Sequence, residues 1–304
     1  MADVRGVLAT GAYLAGWRIV GALPGAVATR AFSFGADRAS DGGKGMDMLR
    51  RNLARVVGPE NVTRELVRDA VRSYARYWRE AFRLPRLAGD PEVVAALSRG
   101  LEGRENLDAA LSAGNGVILT LPHSGNWDMA GMWLVSTYGR FTTVAERLRP
   151  EALYDAFVDF RESLGFEVLA LTGGAHPYAH LAEVLRGGGI VCLLGERDLT
   201  SRGVPVMFFD EPTTMPAGPA KLAADTGASL LTVHSWFGGT DARPSWGLRV
   251  DPPVEVTTVE ETTQRVADRF ARNIAEHPAD WHMLQPMWPA DRAFLPFRRP
   301  VQRR

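Results

Sequence analysis

His123 and Asp128 form a His-x4-Asp spacing that follows a short apolar run. An imidazole titrates near neutral pH, so His123 is suited to remove a proton from a hydroxyl group. A carboxylate that bonds the other ring nitrogen would fix the tautomer and stabilise the imidazolium, as the acid does in a Ser-His-Asp arrangement. The spacing alone is weak, because a helix-capping Asp128 and a turn residue at His123 give the same pattern. We treat the pair as a candidate general base and its orienting acid.

Glu196 is a second candidate for that acid, because it follows another short apolar run. Ligands bind at the carboxyl ends of strands in open α/β sheets, so Glu196 would converge on His123 if the two strands are neighbours. An ion pair of Glu196 with Arg197 or Arg202 is the structural alternative. Whether Asp128 or Glu196 orients the ring stays open at this point.

The composition excludes several classes of partner. The formal net charge is +0, from 35 Lys and Arg against 35 Asp and Glu, so no overall field draws the chain to nucleic acid. Cys192 is the single cysteine, which excludes an internal disulfide framework and indicates a buried thiol in a reducing cytoplasm. His176 and His180 lack the Glu of a His-Glu-x2-His zinc motif, so we expect no metal and no cofactor.

The chain has two different sequence patterns, one in each of the regions that must position these residues. Residues 1–113 are predicted to be a helical, membrane-associating segment packed on the core, with a long amphipathic helix over 62–83 that Pro85 ends. Residues 114–304 alternate short apolar runs with helix-length segments, which predicts an α/β core with a mostly parallel β-sheet flanked by helices. The predicted strands are 117–121, 141–145, 166–171, 190–194, 206–209, 230–235 and 247–250. The predicted helices are 128–138, 150–164, 178–186, 218–226 and 259–276.

Two features of the N-terminal segment suit a membrane surface. The apolar stretch over 7–28 is interrupted by Arg18 and Pro24, so we expect it to lie on a bilayer and not to cross it. Arginines recur at helical spacing over 62–83, which indicates contact with anionic lipid or CoA phosphates, or a solvated face. These arginines are Arg64, Arg68, Arg72, Arg76, Arg79 and Arg83. We expect a peripheral protein on an anionic membrane surface.

The sequence His-Ser-Gly-Asn-Trp-Asp at 123–128 resembles the His-x4-Asp/Glu motif of the bacterial lipid A late acyltransferase family. Four further blocks match that family in the same order along the chain, and as an ordered set they are specific. They are Phe-Arg-Glu-Ser-Leu-Gly at 160–165, Gly-Glu-Arg-Asp at 195–198, Val-Met-Phe-Phe at 206–209 and Pro-Ala-Asp-Trp at 278–281.

The resemblance implies an acyl-CoA-dependent O-acyltransferase with His123 as general base and direct attack on the thioester. Ser124 lies outside any Gly-x-Ser-x-Gly elbow, so no acyl-enzyme is expected. Backbone N–H groups near Asn126 are expected to stabilise the oxyanion, and Arg161 to hold a phosphate or sugar. The expected catalytic residues are His123, Asp128 and Glu196, and the expected substrate contacts are Arg161, Asn126, Arg197, Asp198, Phe208 and Phe209, with the phenylalanines lining an apolar groove.

Departures from the family pattern argue against lipid A as the acceptor. Asp210 stands where many family members carry Gly, and Gln-Pro-Met-Trp at 285–288 replaces a more basic segment. The resemblance then implies transfer of a palmitoyl-type group from acyl-CoA to a mannose hydroxyl of a phosphatidylinositol mannoside, at the cytoplasmic face of the inner membrane. Alternatives are another lysophospholipid or glycolipid acceptor, a carrier-protein donor, a thioesterase, or a non-catalytic acyl-CoA or lipid-binding protein.

Overall fold

The computed structural model describes Gly16 and residues 19–88, 90–147, 151–172, 177–199, 202–240 and 243–294. Most of the apolar N-terminal stretch before residue 19 therefore lies outside the described residues, as does His176 of the histidine pair. No helix among the residues so covered is both long enough and apolar enough to cross a bilayer.

Within the described ranges, nine strands form two sheets. The strands are β1 (Leu101–Glu102), β2 (Val117–Leu121), β3 (Phe141–Ala145), β4 (Phe166–Ala170), β5 (Ile190–Leu194), β6 (Val204–Phe208), β7 (Glu211–Met215), β8 (Ser229–Thr240) and β9 (Arg243–Val250). Seven of them make a central sheet in the order β1-β9-β8-β2-β5-β3-β4, and β6 and β7 make a separate hairpin. In the central sheet only the β8–β9 pair is antiparallel. The predicted α/β fold with a mostly parallel sheet flanked by helices is confirmed.

Helices precede the sheet and cover both of its faces. They are α1 (Gly25–Ala39), α2 (Asp47–Val57), α3 (Arg64–Leu87), α4 (Pro91–Arg99), α5 (Arg104–Ser112), α6 (Trp127–Tyr138), α7 (Glu151–Ser163), α8 (Tyr178–Arg186), α9 (Gly218–Thr226) and α10 (Val259–Glu276). Short 3-10 turns lie at Pro59–Asn61, Pro278–Asp280 and Pro289–Phe294. The predicted division of the chain at 113/114 stays a prediction.

Strand β2 shows why the sheet needs helices on both sides. Every residue of β2 is buried, and successive side chains point to opposite faces. Leu119 and Leu121 belong to the cluster under α4, α5 and α6, whereas Ile118 belongs to the cluster under α8, α9 and α10. An apolar run with no polar alternation is the pattern expected of such a doubly covered strand.

Pro85 does not end α3, contrary to the prediction, because the helix continues to Leu87. A proline removes one backbone hydrogen bond from a helix, and packing compensates here. Leu84 is fully buried, and the Ala88 N–H donates to its carbonyl oxygen at 2.7 Å. The helix begins at a Thr63 cap, whose side-chain oxygen accepts a bond from the Leu66 N–H.

The strand predicted over 206–209 is wrong in its bounds, because β6 runs over Val204–Phe208 and pairs only with β7. The turn between these strands holds Phe209 at φ 50° and Asp210 at φ 60°. Two consecutive positive φ angles are typical of the tightest hairpin turns, where glycine is favoured. Asp210 thus occupies a left-handed position, which glycine would adopt without strain.

Candidate active site

His123 and Glu196 meet at the carboxyl end of two neighbouring parallel strands, β2 and β5. Glu196 Oε1 lies 2.7 Å from His123 Nδ1 and also accepts the His123 backbone N–H at 2.6 Å. The Glu196 side chain is fully buried, whereas the His123 side chain is 29% exposed. A carboxylate acceptor at Nδ1 assigns the proton to that nitrogen and leaves Nε2 with a lone pair. The ring therefore has the tautomer that a general base needs.

Asp128 bonds other partners than the histidine. Its Oδ1 accepts a bond from Arg161 Nε at 2.9 Å, and its Oδ2 accepts one from the Tyr77 hydroxyl at 3.0 Å. Burial by itself disfavours the Arg161 cation, but the Asp128 carboxylate outweighs it and holds the pKa of Arg161 above its usual value. Burial and the same carboxylate raise the pKa of Tyr77. Of the two acids predicted to orient His123, Glu196 is the one in contact.

Asn126 caps the helix that follows the histidine loop. Its Oδ1 accepts a bond from the Met129 N–H at 3.1 Å, and its Nδ2 donates to Glu80 Oε2 at 2.8 Å. The side chain is buried and both of its ends are engaged within the protein. Asn126 therefore sets where α6 begins, and the first N–H groups of that helix point towards the histidine loop's end of the sheet.

An apolar cavity lies between α6 and the sheet. Asp128 and Arg161 are the charged residues among its described walls. Its apolar walls come from α6, α5 and all seven strands of the central sheet, and include Leu119, Leu121, Trp127, Gly131, Leu134, Phe141, Phe166, Val233 and Leu248. Cys192 also lines it, and burial raises the pKa of that thiol, so it is not a thiolate nucleophile.

A second cavity contains His123. Its other walls are Tyr74, Tyr77, Trp78, Trp127, Arg197, His282, Met283, Leu284 and Gln285. Trp127 lines both cavities, and its ring meets the His123 ring edge-on at a centroid distance of 5.4 Å. The candidate base thus lies in an aromatic, partly polar chamber next to an apolar one, with one indole between them.

Of the remaining residues predicted to contact substrate, Arg197 lies at the His123 chamber and Asp198 does not line it. Arg197 lines the His123 chamber and donates to the Gln285 side chain. Asp198 accepts bonds from the Gly203 N–H at 2.8 Å and the Thr214 hydroxyl at 3.2 Å, so it ties its loop to the β6–β7 hairpin.

The two phenylalanines lie away from both cavities. Phe208 is 1% exposed and stacks on Trp288 at a centroid distance of 5.8 Å, with Phe209 packed beside it. Neither lines the two cavities described above. The hairpin turns them into the core on the opposite side of the sheet, so the predicted apolar groove does not form at these two residues.

The arginine stripe of α3 bonds groups within the protein at five positions, the first of which is Arg68, bonded to Asp69 at 3.4 Å. Arg72 reaches Asp37 of α1 through two bonds of 2.6 Å, and Arg76 reaches Glu80 at 2.8 Å. Arg79 donates to Thr29, and Arg83 donates to the carbonyl oxygen of Leu23. A contact of this stripe with lipid or CoA phosphates stays a prediction, and these internal bonds argue against it.

Tyr77 and His282 line the His123 chamber, but the sequence did not predict either of them as a site residue. Tyr77 repeats with the apolar face of its helix, which is the pattern of an ordinary core residue. Its ring packs 4.0 Å from that of Trp127. His282 directly follows the Pro-Ala-Asp-Trp block, and its spacing from the other candidate residues forms no recognisable motif. Only the fold brings it to the chamber.

Known proteins resemble this chain over most of its length. The family model described as bacterial lipid A biosynthesis acyltransferase matches residues 5–289. The chain belongs to this family. It is 55% identical over 285 residues to a protein of Mycobacterium tuberculosis named phosphatidylinositol mannoside acyltransferase, an alignment that spans 92% of this chain and 88% of that one. A protein of the same name from Mycolicibacterium smegmatis is 56% identical over 289 residues, spanning 92% and 91%. Membership of this family identifies the chain as an acyltransferase and confirms the resemblance drawn from the motifs.

Proposed function

We propose that this enzyme transfers a palmitoyl-type group from acyl-CoA to a mannose hydroxyl of a phosphatidylinositol mannoside, with His123 as general base. The observation that carries the proposal is the His123–Glu196 pair in a chamber adjacent to an apolar cavity. The names of the two mycobacterial relatives support the acceptor. An acyl chain needs an apolar cavity, and a sugar hydroxyl needs a base with a free nitrogen.

In the proposed step, His123 Nε2 removes the proton of the acceptor hydroxyl as its oxygen attacks the thioester carbonyl carbon. The new C–O bond produces a tetrahedral oxyanion, and we assign its stabilisation to the N–H groups of Trp127 and Asp128 at the start of α6. Collapse of the oxyanion breaks the C–S bond, and the CoA sulfur takes the proton from the imidazolium. Glu196 stabilises the imidazolium between these events. The products are the acyl ester and free CoA.

The two cavities suggest separate places for chain and sugar. The apolar cavity suits the acyl chain, with Trp127 beside its carbonyl end. The His123 chamber offers aromatic faces from Tyr74 and Trp78 for a sugar ring, and a cation at Arg197 for a phosphate of the donor or the acceptor. Arg161 lines the apolar cavity and donates a hydrogen bond to Asp128. We assign it a structural role in the wall of that cavity.

The proposed location is the cytoplasmic face of the inner membrane, with peripheral attachment. Both a fatty acyl donor and a glycolipid acceptor partition to a bilayer, so the enzyme must work at that surface. The chain also shows exposed apolar side chains on its N-terminal helix, among them Phe34 at 73% and Val27 at 49%.

Replacing His123 by Ala tests the proposal. We expect transfer of radiolabelled palmitate to a phosphatidylinositol mannoside to fall by about 10²–10⁴-fold, while binding of palmitoyl-CoA stays within about twofold. His180→Ala serves as the control, because that side chain is exposed on α8. Unchanged turnover of His123→Ala would remove the histidine from the mechanism.

A comparison of rates with and without acceptor separates the transferase from a thioesterase. We expect the glycolipid to accelerate CoA release, because a sugar hydroxyl in the chamber replaces water as the nucleophile. Equal rates would support hydrolysis. Binding of palmitoyl-CoA without any turnover would support a binding protein, and transfer to a lysophospholipid alone would support the other acceptor class.

A further inference from the structure

A segment near residue 280 holds the loop of His123 by backbone hydrogen bonds. The Gly125 N–H donates to the Asp280 carbonyl oxygen at 2.9 Å, and the His282 N–H donates to the His123 carbonyl oxygen at 2.8 Å. Ser124 and Trp281 form an isolated antiparallel bridge between these bonds. The loop that carries the candidate base is therefore closed by a segment far away in the sequence.

The Asp280 carboxylate anchors that segment to two other elements. Its Oδ1 accepts the Ser73 hydroxyl of α3 at 2.6 Å, and its Oδ2 accepts the Phe237 N–H of β8 at 2.9 Å. The residue is 9% exposed, and burial raises the pKa of its carboxyl while the Ser73 bond opposes the rise. Both oxygens are thus occupied by donors that fix the orientation of the segment.

Ser73 passes the effect of this carboxylate on to His282. The Ser73 oxygen lies 3.0 Å from His282 Nε2. A hydroxyl has one hydrogen, and Ser73 gives it to the carboxylate, so His282 Nε2 must be the donor in its bond to Ser73. Burial, followed by the nearby His123, lowers the pKa of His282 to about 3, which keeps the ring neutral. The chain of bonds therefore fixes His282 as its Nε2–H tautomer.

We propose that Asp280 is a positioning residue for the base. It holds the loop of His123 through its carbonyl oxygen, and through Ser73 it holds the His282 ring that lines the same chamber. This inference rests on the proposed function, because the position of His123 affects turnover only if His123 acts on the substrate. It also gives a role to the Pro-Ala-Asp-Trp block at 278–281, which the acyl-transfer step leaves unused.

The variant Asp280→Asn reverses the bonds without removing them. The Phe237 N–H requires an acceptor, so the amide oxygen must face it and the amide NH₂ must face Ser73. The NH₂ then donates to Ser73, whose hydroxyl hydrogen turns to His282 Nε2. We expect His282 to change to the Nδ1–H tautomer, which nitrogen-15 NMR of the histidine side chains detects.

The variant Asp280→Ala removes the anchor. We expect kcat for palmitoyl transfer to fall about 10- to 100-fold, because misplacement of a catalytic group by about 1 Å has effects of this size. The KM for palmitoyl-CoA should change less than about threefold, and hydrogen exchange at the Gly125 and His282 amides should accelerate. The rate is divided by the concentration of folded enzyme, so that a loss of stability alone does not lower kcat.

Asp291→Asn is the matched control. Asp291 is also a buried carboxylate, but its side chain pairs with Arg55 at 2.7 Å and with Arg51 at 4.0 Å, both on α2 and outside the loop of His123. We expect wild-type kcat per folded molecule and wild-type exchange at the Gly125 amide. Comparable losses in both variants would reduce the role of Asp280 to general stability.

The outcomes separate this inference from the proposed function. If Asp280→Ala keeps both kcat and the slow exchange of the Gly125 amide, the positioning role is overturned. If His123→Ala keeps transferase activity, the proposed function fails, and the exchange and tautomer data still decide whether Asp280 holds the loop. If the alanine variant does not fold, the asparagine variant decides alone: an unchanged His282 tautomer rejects the inference.

Discussion

His123 and Glu196 each lie two residues beyond a pair of strand ends, Leu121 and Leu194, that are partners in parallel register. This equal distance from paired residues brings the carboxylate beside the ring. One oxygen, Glu196 Oε1, receives both the backbone N–H and Nδ1 of the histidine. The register of two strands therefore sets the orientation of the candidate base.

Glu196→Gln tests the charge of this carboxylate. The amide oxygen can still accept both bonds from His123, but an imidazolium loses its negative partner. We expect kcat to fall about 10²–10⁴-fold, in the range seen when the acid of a triad is neutralised. The amide NH₂ replaces Oε2, a buried atom without a hydrogen-bond partner, so the free energy of unfolding should also fall by about 1–3 kcal/mol. A loss of kcat below tenfold at full folding would contradict the role.

Asp128 and Arg161 should be coupled in stability. Asp128→Asn leaves the Arg161 guanidinium, 18% exposed, without its carboxylate, and removing one partner of a buried pair costs about 3–5 kcal/mol. Urea denaturation of Asp128→Leu, Arg161→Leu and the double variant measures the coupling. We expect the double variant to be more stable than the sum of the single losses predicts, by at least about 2 kcal/mol. Additive losses would mean that the two residues act independently.

Gly131 should limit the length of the acyl chain. A Cβ at this position of α6 would lie 2.7 Å from Phe166 Cζ and 3.1 Å from Phe141 Cζ, so even a methyl group must displace cavity walls. We expect Gly131→Ala to lower the ratio of kcat/KM for palmitoyl-CoA over decanoyl-CoA by about 10-fold or more, the usual range for one carbon in a tight pocket. Gly218→Ala is the control, because a Cβ there meets no atom within 4 Å. An unchanged ratio would mean that the acyl chain does not bind in the cavity beside Gly131.

The outer face of α1 should provide part of the membrane contact. Arg30 and Arg38 are exposed on the same helix as the apolar Val27 and Phe34. Charge reversal of both arginines to Glu should weaken flotation with anionic vesicles by at least about tenfold, since each arginine near such a surface contributes about 1 kcal/mol.

The control for the membrane experiment is the pair Arg99→Glu and Arg243→Glu. Both of these arginines are exposed and lie outside α1, and their reversal changes the net charge by the same amount. We expect this pair to leave flotation nearly unaltered. Equal weakening by the two pairs would indicate a response to overall charge and not to α1.

His234 should make the protein sensitive to acid. The ring is fully buried in β8 with neither nitrogen bonded, and burial, then His277 and Arg249, lower its pKa to about 3. The unfolded value is about 6.5, so between pH 6.5 and 3 the unfolded state binds more protons and stability falls as the pH falls, by about 1.4 kcal/mol per pH unit. His234→Phe should flatten this slope by that amount in urea titrations. Parallel curves for variant and wild type would contradict the assignment.

Local patterns in the sequence predicted most of the elements of the core. The strands at 117–121, 141–145 and 190–194 and the helices at 178–186 and 259–276 have the predicted bounds. These segments are bounded by glycine turns or by caps, as at Thr258, whose side chain accepts a bond from the Glu261 N–H. Such signals act within a few residues, so they can be recognised in the sequence without knowledge of the fold.

Strand partners and long-range contacts were harder to predict. Apolar alternation tells which face of a strand is buried, but it does not tell that β6 and β7 pair apart from the main sheet. The choice between Asp128 and Glu196 depended on the order of β2 and β5, which no local signal encodes. Tyr77 and His282 reach the chamber from opposite ends of the chain, and only tertiary packing brings them there.

The pairing of residues 123–125 with 280–282 has a consequence for synthesis on the ribosome. A nascent chain that has emerged only as far as β8 contains the histidine, the glutamate and most of the apolar cavity, but not the segment that closes the histidine loop. Because translation proceeds from the N-terminus, the loop is completed only after residues 280–282 have emerged. Until then the loop of the candidate base lacks the backbone hydrogen bonds that hold it.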